Sequence, residues 1–138
     1  MEDKRKVSVL VPFRVKGDLV SVFLQRRVKN ALRAPGLFGF FGGEAKNAET
    51  PEETLLREAK EELGFVPYGF RYFSTYDLSN TILTLFVILV DDDFEKRIQV
   101  LEGDYGRWFS KDDFIREKKS IMGHLPILDE LYKKLSLL

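Results

Sequence analysis

The chain has 138 residues, 44% of them hydrophobic and twelve of them phenylalanine, enough for one domain that buries roughly two-thirds of its unfolded surface. Its 22 basic and 22 acidic residues cancel, so it lacks the overall basic footprint of a nucleic-acid binder. With no cysteine, disulfides, thiol catalysis and Cys-ligated metal centres are excluded together. The composition suits a reducing, cytoplasmic setting. No stretch reaches the ~18 apolar residues of a membrane span, and MEDKRKVSVLVPF at the start has no signal-peptide pattern. The expectation is a single soluble domain over residues 1–138.

Residues 7–15, VSVLVPFRV, predict a first strand, Lys16–Asp18 a turn, and residues 19–24 its hairpin partner, which delivers Gln25, Arg26 and Arg27 at its end. Residues 28–36, with Asn30, Pro35 and Gly36, predict a surface loop. Residues 37–41, LFGFF, predict a short strand running into Gly42 and Gly43. Paired glycines there allow positive φ or close approach of the backbone to a ligand. A helix follows over residues 51–63: Thr50 suits the N-cap, Pro51 the first position, Glu53 closes a capping box and Gly64 stops it. Leu55, Leu56, Ala59 and Leu63 form its apolar stripe, with Glu58, Glu61 and Glu62 on a face about 120° away.

Residues 68–78 and 81–90 predict an antiparallel pair around Ser79–Asn80, the second strand buried on both faces. Asp91–Asp93 reads as an acidic turn, residues 96–101 as a further strand, and 106–109 as a short one around Trp108. Residues 111–118 and 125–135 predict helices, the latter with Leu128, Leu131, Tyr132 and Leu135 at helical spacing. Phe38, Phe40, Tyr72 and Tyr76 read as core. Strands with segregated helices imply an α+β fold, an α/β/α sandwich around a mixed sheet.

The charges of the central helix need a reason. Carboxylates near a helix C-terminus oppose the macrodipole by about 0.3–1 kcal/mol each, and Glu58 and Glu62 repel at i,i+4. A solvated face balanced by Arg57 and Lys60 is one explanation; a bound cation is the other. Mg²⁺ takes oxygen ligands, and carboxylates at i, i+3 and i+4 can converge on one ion while leaving positions open for other ligands. Asp91–Asp93 lacks the spacing of a calcium loop and reads as a hydrated turn. The sole histidine, His124, sits where a helix N-cap would fall, which favours a structural or ligand-contacting role over general-base catalysis. Strand alternation keeps Arg26 and Arg27 from facing one site together, leaving one for a ligand and the other for solvent.

Gly43 to Phe65, GEAKNAETPEETLLREAKEELGF, matches every fixed position of the Nudix box, G-x5-E-x7-R-E-U-x-E-E-x-G-U, with U apolar. At average residue usage such a match arises by chance on the order of 10⁻⁹ per start site. The chain therefore resembles the Nudix hydrolases. Gln25–Arg27, the apolar strand into the glycine pair, and Glu102-Gly103 with Trp108 six positions after Glu102 are similar to MutT-type members. Phe41 stands where many members have proline, which alters loop stiffness more than chemistry.

The resemblance implies hydrolysis of a nucleoside diphosphate linked to a group X, dependent on Mg²⁺ or Mn²⁺. It implies Glu61 and Glu62 as metal ligands beside the Gly42 carbonyl, and Glu58 as a ligand or the base that activates water. Arg57 would orient Glu58, Glu49 would tether the loop or reach the metal through water, and Glu102 would add a carboxylate from outside the box. Gly43, Arg26 or Arg27, and His124 are the implied substrate contacts. The expected partner is a small nucleotide, a triphosphate before ADP-ribose, a nucleotide sugar or a dinucleoside polyphosphate, bound by a monomer or homodimer that forms no stable nucleic-acid complex. A nucleotide-binding module without catalysis is the reading from another class.

Overall fold

A computed structural model describes residues 4–31, 35–65, 67–98 and 105–135. Seven strands form one mixed sheet: β1 (Arg5–Lys16), β2 (Leu19–Arg26), β3 (Phe38–Gly39), β4 (Phe41–Glu44), β5 (Arg71–Asp77), β6 (Thr81–Leu89) and β7 (Tyr105–Phe109). Four helices accompany them: α1 (Pro51–Leu63), α2 (Phe94–Arg97), α3 (Lys111–Arg116) and α4 (Leu125–Leu135), with a 3₁₀ turn at Met122–His124 before α4.

β1 organises the sheet because it pairs with three strands. One edge runs parallel to β6 from Arg5 to Phe13. The other edge is shared: its first half pairs with β4, Val7 opposite Glu44 through Leu10 opposite Phe41, and its last residues pair with β2. A strand held on both edges needs apolar residues on both faces, and VSVLVPF supplies them. Val9, Val11 and Phe13 point into a core shared with Leu128, Leu131 and Leu135 of α4. Leu10, on the alternate face, meets Leu55 and Ala59 of α1. Helices thus cover opposite faces of the sheet, which is the expected sandwich.

The helix at residues 51–63 forms with the caps the sequence implies. Thr50 Oγ1 accepts from the Glu53 amide, Glu53 Oε1 accepts from the Thr50 amide, and Gly64 ends the helix in the left-handed region. The β5–β6 pair and α4 also fall where expected, with β6 buried on both faces.

Five expectations are corrected. The predicted strand at 37–41 is two strands, because Phe40 leaves the ladder: β3 pairs with β2, and β4 with β1. Gln25, fully buried, donates to the Phe40 carbonyl and satisfies it at this break. Residues 96 and 97 are helical, since Phe94 inserts into a cluster with Phe23, Phe41 and Leu63 and winds α2 around itself; the rest of that predicted strand, 99–101, lies outside the described residues. Leu56 is 38% exposed and outside the stripe, while Thr54 takes a buried place on α1. Tyr72 is exposed on β5, an edge strand, with its hydroxyl bonded to Thr75. The helix predicted over 111–118 stops at Arg116, its N-terminus fixed by a Ser110–Asp113 capping box.

Candidate active site

The site forms where β4 passes the C-terminal half of α1. Glycine is needed at both positions of the pair, for different reasons. Gly42 has φ +145°, and a β-carbon there would stand 2.1 Å from the Ser8 carbonyl oxygen of the neighbouring strand. Gly43 is a seat: a β-carbon would lie 2.4 Å from Glu58 Oε1. The Gly42 amide donates to Glu62 Oε2 at 3.0 Å. The two α1 carboxylates one turn apart are therefore drawn inward against the strand, at only 9% and 4% exposure for Glu58 and Glu62.

Arg57 knits the surroundings together. Its Nε and Nη2 donate to the two oxygens of Glu49 at 2.9 and 3.0 Å, a bidentate fork. Nη2 also reaches the Glu44 carbonyl at 3.0 Å, and Nη1 donates to Glu58 Oε1 at 2.8 Å and Glu61 Oε2 at 3.2 Å. One guanidinium thus bridges the end of β4, the loop at Glu49 and the carboxylates of α1. Hydrogen bonds from Arg57 and from the Lys46 amide hold Glu49 down at a pKa of about 2, and the bonds to Glu49 and then Glu58 raise that of Arg57 above its usual value. The charges that looked misplaced in the sequence are partly offset locally, Glu58 and Glu61 by hydrogen bonds from Arg57 and Glu62 by the Gly42 amide.

Glu58 and Glu62 face a cavity of about 260 Å³ with Gln25, Arg27, Val28, Ala31, Gly42 and Gly43. Glu61 sits outside this lining, exposed and attached to Arg57. Among the described residues no three histidine, aspartate or glutamate side chains are gathered as a metal cluster. Glu102 lies outside the described residues. Of the two arginines, Arg27 lines the cavity, whereas Arg26 turns away, its Nε donating to the Gly36 carbonyl at 3.3 Å and its guanidinium 6.0 Å from the Tyr105 ring centroid.

A second cavity, of about 470 Å³, shares Arg27, Gly42 and Gly43 with the first. Val7, Val9, Phe40, Leu83 and Ile121 make much of its wall, with Arg5, Thr81 and His124 as polar groups. This size and mostly apolar lining are those of small-molecule sites. His124 stacks flat on Phe40, centroids 4.5 Å apart and planes 9° from parallel. Burial and the nearby Arg27 charge push its pKa down to about 4, so it is neutral at pH 7. It closes the 3₁₀ turn ahead of α4 and fronts the cavity instead of simply capping the helix. Sequence reasoning missed Arg5 and Thr81 here. The alternation of β1 was the available signal, because it puts Arg5 on the same face as Val7 and Val9.

With this geometry in view, the comparisons are consistent with one another. The NUDIX domain family matches residues 3–131. The 8-oxo-dGTP diphosphatase of Escherichia coli K12 is 30% identical over 128 residues, covering 88% of this chain and 97% of its own. A MutT/nudix family protein from Listeria innocua superposes with a TM-score of 0.77 at 18% identity, over 99% of this chain and 96% of its own. The NUDIX domain of Shewanella oneidensis NrtR, solved with ADP ribose, gives 0.74 at 19% identity, over 98% and 90%. These two structural likenesses speak to the fold alone. The box, its fold and a relative aligned almost end to end lead to one conclusion: this chain belongs to the Nudix family and is a hydrolase of phosphoric anhydride bonds.

Proposed function

We propose that the enzyme cleaves a nucleoside triphosphate, oxidised or otherwise non-standard ones included, to a nucleoside monophosphate and pyrophosphate with Mg²⁺ or Mn²⁺. The observation that carries this reading is the pair Glu58 and Glu62, buried on the wall of a cavity beside Gly42 and Gly43. Two carboxylates on such a wall fit Mg²⁺, which combines one or two of them with phosphate oxygens and retained waters. Glu62, with Glu58 and Gly42 beside it on this wall, would hold the ion, while Glu61, outside the lining, and Glu102 are the further carboxylates the box and its surroundings offer. When bound, it neutralises phosphate charge and makes the attacking water more acidic.

The protein's own groups supply the rest. Glu58 takes the proton from water as the oxygen attacks phosphorus and the anhydride bond to the pyrophosphate leaving group breaks. Arg57 fixes the Glu58 carboxylate through its 2.8 Å hydrogen bond and is itself immobilised by the Glu49 fork. Arg27, at the junction of the cavities, meets phosphate charge, and the nucleoside extends into the larger cavity beside His124 and Phe40.

The E. coli relative, aligned over 97% of its length, favours a triphosphate. ADP-ribose, nucleotide sugars and dinucleoside polyphosphates are the alternative substrates, towards which the fold offers its likeness to NrtR solved with ADP ribose and to a C. elegans Ap4A hydrolase. The balanced charge of 22 basic and 22 acidic residues supports a free nucleotide over a nucleic acid as partner. We take the enzyme to be a cytoplasmic monomer or homodimer. Phosphate release coupled to inorganic pyrophosphatase, run over a nucleotide panel with each metal, tests the proposal. Turnover of a nucleoside triphosphate is expected, with phosphate appearing only when the coupling enzyme is present. No turnover of any nucleotide overturns it, and tight calorimetric binding without hydrolysis would make the protein a binding module.

A further inference from the structure

Among the described residues, Gln25 is the one neutral polar side chain in the wall of the carboxylate cavity. It is 3% exposed. On β2 it stands two residues after Phe23, which packs with Leu63 of α1, and strand alternation carries both side chains to that face of the sheet. A carboxamide has a donor end and an acceptor end, so a single partner decides which way it points. Here the partner is the Phe40 carbonyl at the break between β3 and β4, which accepts from Gln25 Nε2 at 3.2 Å. A carbonyl can only accept, so the nitrogen is committed to Phe40 and the oxygen is left for the cavity. Among the described residues that oxygen accepts no hydrogen bond, and it is not sealed inside the protein. A buried carboxamide with one end anchored and the other unused calls for a donor that enters the cavity.

The contents of the site narrow what that donor is. Ionised phosphate oxygens only accept, and an amide oxygen repels them. The nucleoside extends into the larger cavity, whose wall Gln25 does not join. What remains is water, and the reaction consumes one. A water that attacks phosphorus has two O–H bonds, and its lone pair has a fixed aim only when both are held. Glu58 holds the one it deprotonates. Of the other polar groups in the wall, Arg27 only donates, and Glu62 Oε2 already accepts from the Gly42 amide. The Gln25 oxygen can hold the second O–H, and being neutral it does not compete for the proton.

We infer that Gln25 is a further catalytic residue: its amide oxygen accepts the second O–H of the attacking water and, with Glu58, aims that water at phosphorus. The inference rests on the hydrolysis reading of the site. In the step, the water oxygen bonds to phosphorus, the anhydride bond breaks with its electron pair on the leaving group, and one proton passes to Glu58. The other proton stays on the oxygen, still donated to Gln25, and departs with the phosphate it has joined.

Competition between water and methanol tests this, because methanol has a single O–H and its methyl group would press on the Gln25 oxygen. Full-length wild type, Gln25→Met and Gln25→Glu are compared on the best triphosphate with Mg²⁺ in buffer containing methanol, with circular dichroism melts to verify folding. Chromatography gives the ratio of methyl ester to hydrolysis product within the same turnovers, which is independent of how much enzyme is folded. Gln25→Met is expected to lower kcat by about ten- to a hundredfold with KM nearly unchanged. It should also raise the ester ratio by about tenfold, the worth of one hydrogen bond to water. Gln25→Glu loses the same bond to Phe40 but keeps an oxygen facing the cavity, and should hold the ratio at the wild-type value. Calorimetric titration with Mn²⁺ should give the same affinity for wild type and Gln25→Met. An unchanged ratio in Gln25→Met overturns the inference, as does an equal rise in Gln25→Glu, which would leave the bond to Phe40 as the whole role of Gln25. Recovery of Gln25→Met by excess Mg²⁺, with weakened Mn²⁺ binding, overturns it too, since the oxygen would then serve the ion's hydration. No turnover by wild type overturns this inference and the hydrolysis proposal together; wild-type turnover with an unchanged ratio sinks this inference alone.

Discussion

Replacing Gly43 with alanine should separate catalysis from folding. The added methyl would lie 2.4 Å from Glu58 Oε1, 2.5 Å from its Cδ and 2.8 Å from Oε2. Ordinary contacts begin near ~3.5 Å, so the carboxylate must retreat by about 1 Å. The obstructing atoms are the end of a flexible side chain, so the strand can keep its place while the carboxylate rotates off the glycine. Its 2.8 Å bond from Arg57 then lengthens, at a cost of about 1–2 kcal/mol for a partly exposed charged pair. A displacement of about 1 Å in a reacting group costs on the order of 10²-fold in rate. Monophosphate release followed by chromatography gives kcat and KM, and thermal melting gives stability. The expected result is a kcat down about a hundredfold, KM nearly unchanged, and a melting temperature lowered by only several degrees. A Gly43→Ala enzyme with kcat within about threefold of wild type, under 1 kcal/mol of barrier, would mean that the seat of Glu58 on Gly43 is irrelevant to the reaction.

Gly42→Ala should behave differently, because its methyl meets the Ser8 backbone carbonyl at 2.1 Å and needs φ +145°; a loss on the order of 3 kcal/mol is expected in denaturant titration. Arg57→Lys keeps the charge but loses the fork to Glu49. It should lower kcat by about 10²-fold with little change in KM, as steady-state kinetics would reveal. His124 binds protons less readily folded, with a pKa near 4 against an ordinary 6.5. Its neutral form therefore supports the fold fully above pH 6.5, and that support is lost as pH falls through about 4. Melts of wild type and His124→Asn across this window should diverge above pH 6.5 and converge towards pH 4.

What was legible beforehand follows from how local each signal is. Thr50, Pro51, Glu53 and Gly64 announce α1 because caps act within a few residues. The β1 and β6 runs announce buried strands because alternation and apolar content are local as well. The break at Phe40 was not legible: two strands change partners there, and the Gln25 side chain that satisfies the freed carbonyl comes from another strand. In the site, the box named Glu49, Arg57, Glu58, Glu61 and Glu62, and helix geometry put the three α1 carboxylates on one face. The pull of Gly42 and Gly43 on one side and Arg57 on the other divides that face into two inward carboxylates and one outward. Arg5 was invisible for the opposite reason. Its place in the wall depends on the cavity formed by β1, β6 and the turn before α4, residues far apart in the chain.

The central claim is that Glu58 is the base of a metal-dependent hydrolysis. Its most direct test is kcat for the best triphosphate substrate with Mg²⁺, wild type against Glu58→Gln, with melting temperature as the control. Glutamine keeps the shape and can still bond to Arg57 but cannot take a proton at neutral pH. A fall of about 10³-fold or more in kcat is expected, with KM and fold essentially unchanged. A Glu58→Gln enzyme that turns over at the wild-type rate would contradict it.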